Sequence, residues 1–327
     1  MTKQITIIGL GQIGASVGLA LEQYKSSLKR VGHDRKPDVA KSAQTLGAVD
    51  EINFNLPSSV READIVFLAV PFSEIEETLK LIGEDLKEGA VVIDTAPLKG
   101  TVAEWAERYI PSGRSYVGLV PSIGPDHLLN VGAGQVSARA DLFHEAVFLV
   151  CPSHKAPEQA VKRVTDLLEL LGASPLFSDA LEADGLMAAL HTLPQVMAVA
   201  LLNATTKQPG WKEARKMASR PYGLNAASVL YLDESAALLE TIRSNRVNVT
   251  RVLDNAIRSL TELRAAMEDD DLKSAEDLLD DAYLGGMQWL KDRLGADWLS
   301  EDKPQIEIPS FGERLLGTWV RPDRKNK

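Results

Sequence analysis

Ile5-Thr6-Ile7-Ile8-Gly9-Leu10-Gly11-Gln12-Ile13-Gly14-Ala15 is a β-branched apolar run that feeds directly into G-x-G-x-x-G. An apolar stretch with Val17, Leu19, Ala20 and Leu21 follows at helical spacing. This is the strand–turn–helix setting in which the motif has a mechanism. Gly9 permits the tight turn, Gly11 lets the backbone approach a pyrophosphate, and Gly14 lets the helix pack close to the strand. Free N–H groups at the helix start, on Gln12 and Ile13, then face the phosphates. Glycines also mark ordinary turns, so a second marker matters. Val31-Gly32-His33-Asp34 closes a second strand, and Asp34 stands about 20 residues past the last glycine, where an acid accepts hydrogen bonds from the adenosine ribose. An acid there favours NAD, whereas Arg35 and Lys36 beside it leave room for the 2′-phosphate of NADP.

Downstream the same grammar repeats. Asp64 to Pro71 and Ala90 to Asp94 are continuous apolar runs, as in a parallel sheet buried on both faces. Helical spacing follows each, over 73–86 and 102–109. Further strands are expected over 116–120, 146–151 and 174–177, with a helix from Pro157 to Leu171. Alternating strands and helices imply a doubly wound parallel sheet of Rossmann type. Cofactor then lies outside the carboxyl ends of the strands, which brings Val70, Pro71 and Thr95 to the crevice of Gly9 and Asp34.

From Ala180 the chain turns Ala- and Leu-rich. Helices are expected over 181–203, 226–239, 239–267 and 275–294, with Asp269 to Asp271 as a solvated turn or helix start. The expected organisation is a dinucleotide-binding domain over 1–179, an all-helical substrate and dimerisation domain over 180–299, and a Pro- and charge-rich arm over 300–327. So much apolar helical surface points to a homodimer rather than a self-capping monomer.

The chain has 327 residues, 45% hydrophobic and 25% charged, enough to bury a sizeable core. A net charge of −10 without a Lys/Arg block argues against nucleic acid or an anionic membrane as partner. Cys151 is the sole cysteine, which fits a reducing compartment, and no apolar run looks long enough to span a membrane. The N-terminus enters a strand within a few residues, leaving no room for a signal peptide. A cytoplasmic location is expected. No cluster with metal-ligand spacing, Walker loop or nucleophile elbow occurs.

These features resemble the prephenate/arogenate dehydrogenase family of tyrosine biosynthesis over nearly the whole chain. The resemblance rests on Gly9 to Ser16, Leu46-Gly47-Ala48-Val49-Asp50-Glu51, Ala69-Val70-Pro71, Leu193-Pro194 and Asn245-Arg246. Its most specific stretch is Ala138-Arg139-Ala140-Asp141-Leu142-Phe143 with a strand ending at Cys151-Pro152. It implies NAD(P)-dependent oxidative decarboxylation of a cyclohexadienol on a small-molecule substrate. The departures fall on the chemistry. Where the family's loop carries histidine this chain has Val120, and where its helix carries His-Asp this chain has Ala183-Asp184. His191-Thr192-Leu193-Pro194-Gln195 stands for Ser-His-Leu-Pro-His. Alternatives are a dehydrogenase or reductase of another carbonyl or imine on the same scaffold, or a catalytically silent cofactor-binding protein.

Candidate catalytic groups are therefore Lys99, Ser122, His127 and His191, and candidate substrate contacts are Lys99, Ser122, Thr192, Gln195 and Arg220. Lys99 would hold a carboxylate or, desolvated, act as acid/base, unless it is a plain loop lysine. Ser122 would bond substrate or close a turn. His127 would stand in for the missing loop base or lie in solvent, and His191 would face the cleft or fill an interface. Asp184 reads as a cap or pairing partner within its helix rather than a base.

Overall fold

The structure, a computed structural model, describes residues 3–130, 134–231 and 235–295. The arm expected over 300–327 lies outside them.

The first half runs β1 (Lys3–Ile8), α1 (Gln12–Ala20), β2 (Leu28–His33), α2 (Pro37–Thr45), β3 (Glu51–Ile52), α3 (Leu56–Ser59), β4 (Ile65–Leu68), α4 (Phe72–Ile82), β5 (Val91–Asp94), α5 (Gly100–Tyr109), β6 (Ser115–Pro121), β7 (Val147–Pro152), α6 (Glu158–Leu170) and β8 (Ser174–Phe177). The strands form one eight-stranded sheet in the order β3-β2-β1-β4-β5-β6-β7-β8. Its order reverses between β1 and β4, so the crevice at their carboxyl ends is a topological switch point. The expectation of an all-parallel sheet is corrected in one respect: β7 runs antiparallel to β6, and β8 follows β7 in parallel. The connection from β6 to β7 contains no helix longer than one turn among the described residues. Ile5, Ile7, Phe67 and Ile93 fill one face of the sheet and Val66, Leu68 and Val92 the other, which is why these strands read as unbroken apolar runs.

The second half is helical: α7 (Ala180–Met187), α8 (Leu193–Thr206), α9 (Trp211–Ala214), α10 (Arg220–Ala227), α11 (Ser235–Ser244), α12 (Arg246–Glu268) and α13 (Leu272–Gly295). Two expectations fail here. No single helix spans 226–239, since α10 ends at Ala227 and a 3-10 turn over Ser228–Tyr231 follows. The expected helix over 239–267 breaks at Asn245 (φ −116°, ψ 32°), whose side chain donates to the Asp184 carbonyl at 2.8 Å. Asp270 adopts φ +54°, and Asp271 accepts the Ser274 N–H at the start of α13, so the acidic triplet is a turn that caps a helix.

A π-helical turn over Ala188–Thr192 joins α7 to α8. With it, Ala180–Thr206 is a continuous apolar helix of 27 residues, so the expectation that no segment has membrane-spanning length and composition is corrected. Its apolar side chains are largely uncovered within one chain, with Leu181 and Leu190 exposed.

Candidate active site

Steric demands at the Gly-rich turn match the roles read from its spacing. Gly9 sits at φ +90°, and a Cβ there would lie 2.4 Å from the Ala69 carbonyl oxygen. A Cβ on Gly14 would lie 1.9 Å from the Gly9 oxygen, whereas one on Gly11 would meet nothing within 4 Å. The space over Gly11, in front of the first N–H groups of α1, is the cradle a pyrophosphate needs. Asp34 sits at its edge. One carboxylate oxygen accepts the Leu10 N–H at 2.9 Å and the other the Lys36 N–H at 2.8 Å, leaving a lone pair on each. Arg35 pairs with Glu74 of α4. Val70 touches the Gly9 position, Pro71 caps α4, and Thr95 hydrogen-bonds the Leu68 carbonyl. The residues present therefore fit a nicotinamide dinucleotide.

A strap along α1 was not legible in the sequence. Gln135 Nε2 donates to the carbonyls of Leu10 (3.0 Å) and Val39 (2.9 Å). Gln12 Nε2 reaches the Ser137 carbonyl, and the Arg139 N–H donates to Ser16 Oγ at 3.0 Å. Irregular loops carry no period from which such contacts are readable.

Lys99 corrects the sequence reading most. It is neither a loop lysine in solvent nor open to substrate: its side chain is 1% exposed. Its ammonium donates to both oxygens of Asp94 and to the Leu119 carbonyl, which uses all three protons. Tyr116 donates its hydroxyl to Asp94 at 2.7 Å, and burial together with that carboxylate pushes the phenol well above its ordinary pKa. Asp184 does cap a helix, but not its own. It accepts the N–H groups of Lys99 (2.6 Å) and Gly100 (3.1 Å) at the start of α5.

Other site candidates separate cleanly. Ser122 Oγ accepts the Val147 N–H and its own N–H meets the Val147 carbonyl, so it closes the β6–β7 ladder. His127 turns both ring nitrogens to neighbours: Nδ1 lies 3.2 Å from Asn130 Nδ2, and Nε2 lies 3.0 Å from an Asp141 oxygen, out of line for a hydrogen bond. Thr192 is buried beside Ala188, on the stretch packed against α12, and Arg220 is exposed on α10, which packs chiefly on α8. Ser122 and His127 are thus engaged by neighbouring protein groups, Thr192 is buried, and Arg220 is exposed. His191 and Gln195 remain together, with His191 Nε2 3.2 Å from Gln195 Nε2. His191 is exposed on its open side, yet the surrounding protein desolvates the imidazole enough to lower its pKa. Val120 packs against Leu149, Cys151 and Ala183, an apolar patch between the halves. Burial pushes the Cys151 thiol up to about 11, which leaves it inert.

Comparison with known proteins agrees with this geometry. Residues 17–176 match the nucleotide-binding domain of prephenate dehydrogenase. The chain is 25% identical over 279 residues to the prephenate dehydrogenase of Bacillus subtilis, covering 84% of this chain and 72% of that one. It is 26% identical over 274 residues to the cyclohexadienyl dehydrogenase of Zymomonas mobilis, covering 82% and 90%. The fold matches the prephenate dehydrogenase of A. aeolicus in complex with hydroxyphenyl propionate and NAD+, with TM-score 0.78, 19% identity and coverage of 88% and 98%. A switch-point crevice with a dinucleotide cradle, roofed by helices, defines a nicotinamide-nucleotide-dependent dehydrogenase. Within that class, the chain is similar to the prephenate and cyclohexadienyl dehydrogenases, and residues 17–176 match the nucleotide-binding domain of the former.

Proposed function

We propose that the chain catalyses NAD-dependent oxidative decarboxylation of prephenate, arogenate or a close cyclohexadienol relative, the aromatising step of tyrosine biosynthesis. The observation that carries this is the match to prephenate and cyclohexadienyl dehydrogenases across both halves of the chain. NAD, when bound, supplies the hydride acceptor. Asp34 would hold its adenosine ribose, and the α1 N-terminus its pyrophosphate. The alcohol proton needs an acceptor. We assign it to His191, which a desolvated setting keeps neutral near pH 7 and which Gln195 orients. His191 lies about 10 Å along its helix from Asp184, at the helix rise of about 1.5 Å per residue.

The apolar patch around Val120 favours a second reading, a less polar substrate on the same scaffold. Turnover assays with prephenate and with arogenate test the first reading. NADH formation with either is expected, and none above background with both overturns it in favour of the second.

The exposed leucines of the 180–206 helix and of α13 support a homodimer built on the helical half, covered by a second copy rather than lipid. Sedimentation of wild type against Leu190→Asp tests this: a dimer that dissociates supports it, and a wild-type monomer overturns it. The single buried cysteine suits a cytoplasmic enzyme.

A further inference from the structure

The β5–β6 ladder ends at the pair Asp94 and Gly118. One residue on, the Leu119 carbonyl meets not a strand N–H but the ammonium of Lys99, at 2.8 Å. The same ammonium grips Asp94 at 2.7 and 2.8 Å, so it bridges the two strands where they begin to part. Asp94 is completed by Tyr116 Oη and the Ala96 N–H, leaving the buried pair fully satisfied. Gly118 is required for this. A Cβ there would sit 2.7 Å from Lys99 Cδ and 2.9 Å from Tyr116 Oη. The backbone of Lys99 is held from the opposite side, by Asp184 of the helical half. Asp184 is tied in turn to Asn245, and Asn245 to Asn248 of α12, each at 2.8 Å. One residue thus takes the sheet on its side chain and the helical half on its backbone.

Where this node lies gives it a task. Asp34, at the end of β2, would hold the adenosine, and the α1 N-terminus, beside β1, would hold the pyrophosphate. The nicotinamide half must then extend over the ends of β4 and β5, toward the gap that Lys99 spans. We propose that Lys99 and Asp184 are positioning residues for the nicotinamide end of the site. The ammonium sets the spacing of the β5 and β6 ends, and the Asp184 cap registers the helical roof against them. An apolar side chain would fill the same volume but would not fix the Leu119 carbonyl, because dispersion has no direction. This rests on the cofactor reading above.

The test compares ADP-ribose, which lacks nicotinamide, with NADH, by calorimetry on the full chain. Wild type should bind NADH more tightly than ADP-ribose. Asp184→Asn and Tyr116→Phe, which leave no buried charge unpaired, should keep ADP-ribose affinity within about twofold while the NADH preference falls about tenfold, as expected of misplacement by an ångström or less. Lys99→Met should show the same split more strongly, if it folds. Loss of both affinities together, no change in either, or equal wild-type affinities overturns the proposal. A wild type that binds neither ligand overturns the cofactor reading itself, and this proposal with it.

Discussion

The Asp184 carboxylate accepts the N–H of Lys99 at 2.6 Å across 85 residues of sequence. Burial, the dominant influence, pushes this carboxyl above its ordinary pKa, against the pull of the Lys99 and Gly100 N–H groups. Between the ordinary and the raised value, the folded chain keeps a proton that the unfolded chain has released. Stability contributed by Asp184 is therefore present at low pH and lost as pH rises through that window. Urea titrations from about pH 4 to about pH 7 should give wild type a more negative slope of unfolding free energy than Asp184→Asn, by up to about 1 kcal/mol per pH unit. Parallel curves would contradict this.

Arg30 and Asp50 show the opposite sign. Arg30 is 2% exposed and binds both Asp50 oxygens and the carbonyls of Gly18 and Gly47. Burial raises the Asp50 carboxyl, but the bonds from Arg30 outweigh it and leave the pKa lowered. That stability is present above the ordinary carboxylate range and lost as pH falls through the lowered value. Asp50→Asn should destabilise by about 2 kcal/mol, below the range for a fully buried pair because Asp50 is partly exposed. The loss should shrink in acid, as read by denaturant midpoint.

Glycine substitutions separate fold from ligand. Gly14→Ala drives a methyl into the Gly9 carbonyl and should prevent folding or lower the melting point sharply. Gly11→Ala meets open space and should melt with wild type. It should nonetheless weaken NAD at least about tenfold, because the methyl stands where the pyrophosphate approaches. Unimpaired NAD binding by Gly11→Ala would argue against that placement.

His191 has a lowered pKa, so as the base it is deprotonated earlier in an acid-to-alkaline titration than a free imidazole. The prediction is a kcat/KM that rises with pH through this lowered value and is level near neutrality. His191→Asn should lose that limb and about 10²–10⁴ in kcat. An unchanged acid limb in the variant would assign the proton elsewhere.

The sequence was most informative where structure repeats locally. Runs such as Asp64 to Leu68 and Val91 to Asp94 must be buried on both faces, so strand positions and the alternation with helices followed from composition. The Gly-rich turn was readable because each glycine answers a separate steric demand within a few residues. The direction of β7 was not readable, because a short antiparallel strand and a parallel one are equally apolar. Likewise the break at Asn245 depends on a bond to Asp184, 61 residues away.

By itself, then, the sequence determined the positions of the strands, the cofactor turn and the change to helices at Ala180, since short-range periodicity and backbone sterics dictate these. Only the tertiary structure decided which polar groups meet. It buried Lys99 on Asp94, sent Asp184 to another helix, set His127 beside Asp141 and left His191 open. A side chain's partners depend on long-range packing, and two lysines of identical type differ entirely in chemistry once one of them is buried.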